Sequence, residues 1–312
     1  MFKPLVRAAL AASLLVVIAG CDKKPGETAA TAPAVTSAPD ASILASVKLL
    51  KDGDIGGLMQ NALPPAEFAK AKAEWGKDAN EKPITDEDRA KFNETMTKLT
   101  APDAEQKLFA EIEPKLKEFD AQYQQVVPMY ATMGSGTLKG MIQQNKSMSE
   151  AEQTQAAAAV DALEAWVKNT RFTDAESAKK VIAIVSKTAR DLNLKTLDEA
   201  RALTYDQSMQ KARTAFLGLK DVLNVYGFSI DQTLDSVKAT VASNDGKNAS
   251  VNLSYTLLGA PLNATTEMVN LDGRWYGKQT IAKLKEKAAD QSGTPAVAPA
   301  ADAAAAPAPK QG

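Results

Sequence analysis

The chain has no histidine in 312 residues and one cysteine, Cys21. Without imidazole there is no Ser-His-Asp triad, no histidine general base and no histidine-held zinc. A lone cysteine cannot close an internal disulfide, so the fold must be stable on noncovalent terms. Aromatic residues make up only 5% of the chain, and much of the 45% hydrophobic content is alanine. That composition favours helices meeting through small and aliphatic side chains. Neither sign of charge dominates, with 37 basic against 38 acidic residues. No basic run interleaved with aromatics appears, which argues against nucleic acid as a partner. Carboxylates, lysine, tyrosine and serine–lysine pairs are what remain for catalysis, and no cofactor is implied.

The first stretch with a definite meaning is the N-terminus. Met1 to Arg7 carries Lys3 and Arg7, and Ala8 to Ile18 is an apolar run too short to span a bilayer comfortably. Small residues and a cysteine follow, which is the layout of a secretory signal peptide over residues 1–20. The ending Ile18-Ala19-Gly20-Cys21 resembles the lipobox of bacterial lipoproteins. That resemblance implies a diacylglycerol on the Cys21 thiol, cleavage before it and acylation of the new amine. Two or more acyl chains would anchor the chain stably to a membrane. Asp22 resembles the retention signal of enteric bacteria, which implies the periplasmic face of the inner membrane rather than the outer membrane.

Residues 21–41 are rich in Ala, Thr and Pro and lack the apolar surface to fold. They read as a tether with a root-mean-square span on the order of 25 Å. Residues 291–312 form a similar Ala/Pro-rich tail. Between them, residues 42–146 read as a helical region, and residues 147–290 as helices followed by an antiparallel sheet and a final helix. The expected class is α+β, a mostly helical body with a C-terminal β-meander packed on a long helix.

Local signals place the elements. Ile43, Val47 and Leu50 share a helical face before Asp52-Gly53-Asp54 breaks the run, and Pro64-Pro65 opens another helix. Capping-box patterns occur at Thr85–Asp88, Ser147–Glu150, Thr173–Glu176, Thr196–Glu199 and Thr204–Gln207. Pro114 and Pro128 should kink or break the segment that begins near Thr100, and Gly134-Ser135-Gly136 should end it. Tyr205, Met209, Ala212, Phe216, Leu219, Leu223 and Tyr226 form one apolar seam, which predicts a helix ending at Gly227 and lying on the sheet. From Val237 the period falls to two. Asn244-Asp245-Gly246, Gly259-Ala260-Pro261 and Asp272-Gly273 predict the turns, with a bulge or two-sided burial near Met268 and Val269. Residues 204–278 weakly resemble the sheet end of NTF2-like and cystatin-like secreted domains. That likeness implies a pocket for which Tyr255, Leu257, Trp275 and Tyr276 are candidate lining residues.

The remaining motifs carry little chemistry. Ser177 with Lys180 and Ser208 with Lys211 match S-x-x-K, but the K-T-G strand of penicillin-binding proteins is missing. Asp86-Glu87-Asp88 and Glu111 with Glu113 suit helix starts and wet faces better than a glycosidase carboxylate pair. Met129, Met133, Met141 and Met148 read as core filler. The favoured function is a lipid-anchored, non-enzymatic binding module for a protein or envelope component, such as an immunity or inhibitor lipoprotein. The alternatives are a carboxylate-dependent cell-wall hydrolase and a small-ligand carrier.

Overall fold

The computed structural model describes residues 38–77, 83–146 and 148–292. Cys21, Asp22, Ser147 and the tail from residue 293 lie outside the described residues. The class is α+β, a helical body closed by a four-stranded antiparallel sheet. Among the described residues no helix is long and apolar enough to cross a membrane.

Helix α1 (Pro39–Lys51) begins inside the stretch expected to be tether, with Pro39 at its start and Asp40 in its first turn. It buries Ser42, Ile43, Ser46, Leu49 and Leu50. Gly53, at φ +69°, turns the chain into α2 (Ile55–Ala62), whose N-cap Asp54 accepts from the Gly57 amide at 2.8 Å. α3 (Pro65–Ala73) follows, and its Phe68 packs edge-on against Tyr205. α4 (Asp86–Thr100) starts at the expected Thr85–Asp88 capping box.

Helix α5 (Ala104–Gln144) runs unbroken for 41 residues, about 60 Å. Pro114 and Pro128 lie within it without breaking it, and Gly134-Ser135-Gly136 lies within it too, which corrects the expected end. Each proline forfeits one backbone bond. The helix survives because α4, α6 (Glu150–Asn169) and α7 (Ala175–Leu192) pack along it, which outweighs local propensity. α6 is capped by Ser149 with Glu152, not by the Ser147–Glu150 pair. α7 is capped by Asp174, while Thr173 instead donates to the Asp120 carboxylate. α8 (Leu197–Arg201) and α9 (Tyr205–Val225) start at the expected Thr196 and Thr204 caps.

α9 does not cover the sheet. It lies against α7 and α2, and Leu219 of its seam is 47% exposed. An apolar period reports that a face is buried, not by what. The close approach of α9 to α7 is made at Gly218, where an added Cβ would fall 2.3 Å from Thr188 Oγ1. After Gly227 (φ +78°) comes α10 (Ile230–Asp235), then strands β1 (Lys238–Asn244), β2 (Asn248–Leu257), β3 (Ala260–Leu271) and β4 (Arg274–Gly277) in spatial order 1-2-3-4. α11 (Lys278–Ser292) closes the described chain. The β2–β3 register is continuous through Met268 and Val269, so there is no bulge there, and the shift lies in β1 between Val241 and Ser243. The β2–β3 turn is Leu258-Gly259, one residue earlier than expected, with Pro261 already in β3.

Two apolar cores result. In one, Ile43 and Val47 of α1 press on Ala239, Ala249, Val251, Leu253, Met268 and Trp275 of the sheet. In the other, Leu49 and Leu50 of α1 meet Leu58, Phe216, Ile230 and Leu234.

The α5–α6 contact is polar at its centre. Glu164 takes a salt bridge from Lys168 and hydrogen bonds from Ser135 and Thr132, with Lys139 4.0 Å away. Together they hold its carboxyl down to about 2, far below an ordinary glutamate. A depressed carboxylate stabilises the fold above its unfolded pKa, and that support is lost as pH falls through the folded value. Thermal melts should therefore show Glu164→Gln less stable than the parent near pH 6, with the gap closing between about pH 4.5 and 2. A gap of constant size across that window would refute the assignment.

Glycines give a second test, in opposite directions. Gly136 lies in α5 with open space where a Cβ would stand, so Gly136→Ala should stabilise the monomer by roughly 1 kcal/mol. Gly218→Ala must displace Thr188 and should destabilise by about 1–3 kcal/mol, despite the same gain in propensity. Urea denaturation of the two variants checks the sign of each.

Candidate functional site

A concavity of about 630 Å³ lies where α6, α10 and the β2–β3 hairpin meet. That is within the range of small-molecule pockets, roughly 300–1,000 Å³. α6 contributes Ala162, Ala165, Trp166 and Asn169, spaced so that they share one helix face. Three of the four are small or amide side chains, which leaves room beside the indole.

Trp166 is fixed from behind. Its Nε1 donates to the Tyr226 carbonyl at 2.8 Å, and Phe172 and Phe228 meet its ring edge-on with centroids 5.4 Å away. Phe172 also packs on Tyr226, and its amide donates to the Tyr123 hydroxyl at 3.2 Å. Tyr123 in turn donates to the Thr170 carbonyl at the end of α6. This aromatic cluster clamps the wall of the cleft to α5. Arg171 and Thr173, both on Asp120, lock the same corner and hold that carboxyl below its usual range.

The opposite wall comes from the turn into α10. Ser229 caps that helix by accepting from the Gln232 amide, and Gln232 and Thr233 line the cleft beside it. Ser236, just after α10, donates to the Thr233 carbonyl and accepts from the Thr256 amide at 2.8 Å. That hydroxyl stitches the wall to strand β2. The third wall is Thr256, Leu258, Gly259 and Ala260 of the hairpin.

Leu258 has φ +52° and Gly259 φ +86°. The two-residue loop with both φ positive is the hairpin turn that favours Asn-Gly or Asp-Gly. The next hairpin follows that preference with Asp272-Gly273 at φ +53° and +79°. Leucine in the left-handed region is strained by roughly 1 kcal/mol or more. The strain falls at the rim of the cleft, where it projects an apolar side chain that asparagine would not supply.

No lining residue is ionisable. Hydrogen-bonding capacity comes from the side chains of Asn169, Ser229, Gln232, Thr233 and Thr256, and apolar contact from Trp166, Leu258 and the alanines. The site can recognise shape and neutral polar groups. It offers no side chain to carry a proton or act as a charged nucleophile.

The residues expected to line a pocket do not line this one. Leu257, Trp275 and Tyr276 are buried, and Tyr255 is half-buried, its hydroxyl pKa raised by burial. Trp275 belongs to the core beneath α1, and its carbonyl accepts from Ser42 at 3.2 Å. Inward-facing residues of an open meander are taken by its helical cover, so the concavity forms at the strand ends instead. The two S-x-x-K matches lie within helices, on α7 and α9. Ser208 accepts from the Trp75 indole at 3.1 Å, and Lys180 stands exposed on α7. Asp88 serves its helix cap and Glu113 pairs with Lys117. Among the described residues no group of three or more His, Cys, Asp or Glu stands where it could hold a metal.

Sequence reasoning missed Trp166 and Leu258. The spacing 162-165-166-169 was one available signal for the first. The second had none, because leucine is rare at its φ.

Leu258 gives a prediction in which stability and binding separate. Leu258→Asn should raise the thermal midpoint, because asparagine tolerates the left-handed region. The same change removes an apolar contact from the rim, so occupancy of the cleft should fall. Paired melting and binding curves test it, and a variant that loses stability would show the turn to be unstrained. Comparisons with protein-family models, with curated proteins and with solved structures give no match for this chain.

Proposed function

We propose that the chain is a lipid-anchored binding module of the bacterial envelope, tethered through Cys21 at the periplasmic face of the inner membrane. Its cleft between α6, α10 and the β2–β3 hairpin takes an uncharged portion of a protein or envelope component. The observation that carries this reading is the lining, which presents neutral amides and hydroxyls around one fixed indole and a strained leucine. Such a surface provides orientation and apolar contact, as recognition sites do. A carboxylate-dependent hydrolase would need two carboxylates facing each other across the site, and the lining contains none.

The anchor reading rests on the lipobox and on the distance that follows it. Seventeen residues separate Cys21 from Pro39, the first residue of α1. Extended, they reach about 60 Å, so the cleft would work close to a membrane surface.

A photo-reactive amino acid at Gln232 or Thr256, in the lipidated full-length chain, should capture a discrete envelope species. The same group at Thr240 on the solvated sheet face should not. Trp166→Ala should abolish capture, and equal capture from all three positions would defeat the cleft assignment. Labelled palmitate should enter the parent chain and not Cys21→Ala. Failure of labelling would overturn the anchor while leaving the cleft result readable.

A further inference from the structure

Six of the large hydrophobic side chains that remain exposed belong to one helix. Phe119, Met129, Tyr130, Met133, Leu138 and Met141 all lie in α5, and the three methionines are 58%, 59% and 64% exposed. They are not core filler, which corrects the expectation from the sequence. The stretch Ala121–Asn145 is also nearly free of charge. With charged residues at 24% of the chain, 25 residues would carry about six, and this stretch carries one, Lys139. Lys139 is turned inward onto Asp161 of α6.

The geometry of that face is symmetric. Ser135 is buried and Lys139 is paired with α6, so the inner side of α5 lies between them and the outer side is centred on Thr137, half a turn away. Met133 and Met141 stand four residues to either side of Thr137, and Gly134 and Gly140 three residues to either side. Tyr130 and Gln144 extend the pattern to seven residues. An antiparallel copy turned about Thr137 therefore sets methionine against methionine and glycine against glycine. Self-complementarity of this kind is what a two-fold interface requires, since residue i must meet j while j meets i.

The glycines point the same way. Gly134, Gly136 and Gly140 have open space where a Cβ would stand, so packing within the chain gives no reason for them. Glycine inside a helix is unfavourable, and close approach of a second helix is a reason to keep it. The overlap from Tyr130 to Gln144 is about 22 Å long and would bury on the order of 600 Å² per partner, the lower end of specific interfaces. A face without charge adds no repulsion when it meets itself.

We propose that the outer face of α5, centred on Thr137, is the interface of an antiparallel two-fold dimer of this chain. Its experiment uses the full-length chain carrying Cys21→Ser, which leaves an introduced cysteine as the only thiol. Sedimentation should show the 33.1 kDa chain doubling in mass with concentration, and Met133→Glu should return it to a single mass. Under mild oxidation Thr137→Cys should cross-link to itself. Gln144→Cys alone should not, because its copies would stand about 21 Å apart, whereas a mixture of Tyr130→Cys and Gln144→Cys chains should. Gly140→Ala should raise the thermal midpoint at concentrations where the chain is monomeric and weaken the dimer at higher ones, a pairing that a purely structural glycine would not produce. A single mass at every concentration overturns the proposal, and equal cross-linking at positions 137 and 144 overturns the antiparallel register. A chain of single mass that floats with phospholipid vesicles, and stops doing so in Met133→Glu, assigns the face to lipid and overturns it equally.

Discussion

The hydroxyl of Ser42 donates to the carbonyl of Trp275, joining residues 233 positions apart, and most of the fold depends on the helix that makes this contact. α1 is shared by both apolar cores. One side meets the sheet through Ile43 and Val47, and the other meets α2, α9 and α10 through Leu49 and Leu50. Serine at positions 42 and 46 lets the helix approach closely, and both serines are buried, with Ser46 donating to the Ser42 carbonyl. The C-terminal end of α1 is tied by Lys220, whose ammonium donates to the Lys51 carbonyl at 2.8 Å and pairs with Asp231. A cation at a helix C-terminus is favourable, and here it also links α9 to α10. Removing α1 would uncover both cores at once, and in a chain with one cysteine no disulfide would hold the remainder together.

This arrangement explains where the cleft lies. With α1 on the face of the meander, the inward residues of β2 and β4 become core, and only the strand ends stay open. α10 is fixed by the second core, and Ser236 fastens it to Thr256. α6 is fixed from its other side by α5, through the Glu164 network and the Tyr123 clamp. The walls are thus held by the second core, the Ser236 link, the Glu164 network and the Tyr123 clamp, and Trp166 is the lining side chain that the clamp holds. A site supported in this way is preorganised, and binding to it forfeits less ordering entropy than binding to a loop.

Features that depend on neighbouring residues were legible in the sequence. The caps at Thr85, Thr196 and Thr204, the Asp272-Gly273 turn and the switch to period two after Val237 are local, and each appears as expected. Features that depend on distant partners were not. The seam of α9 announced a buried face, but α7 and α2 took it instead of the sheet. Pro114 and Pro128 signalled a kink or a break, and lateral packing keeps the helix unbroken. In α7, Asp174 displaced Thr173 as cap because Thr173 had Asp120 to bind. The cleft was the least legible part, since its lining comes from three segments and its most unusual residue, Leu258, sits at a φ that leucine seldom adopts.

Charge shows where the molecule departs from a merely soluble surface. Elsewhere on the helices, ion pairs one turn apart recur, as in Lys48–Asp52, Lys91–Glu87, Lys107–Asp103, Lys117–Glu113 and Lys187–Asp191. Such exposed pairs are screened by solvent and add little stability, so their main effect is to keep the surface wet. Among the described residues, the lining of the cleft and the outer face of α5 carry no such pair. A chain without disulfides gains nothing for its own stability by exposing methionine, tyrosine and unsupported helical glycine, or by holding leucine at positive φ. Each is unfavourable to the isolated monomer, and together they are confined to two surfaces from which charge is also absent. Depletion of charge with exposed apolar side chains is the composition of an interface centre. The same physical criterion therefore selects both surfaces, independently of the anchor that would bring them to a membrane.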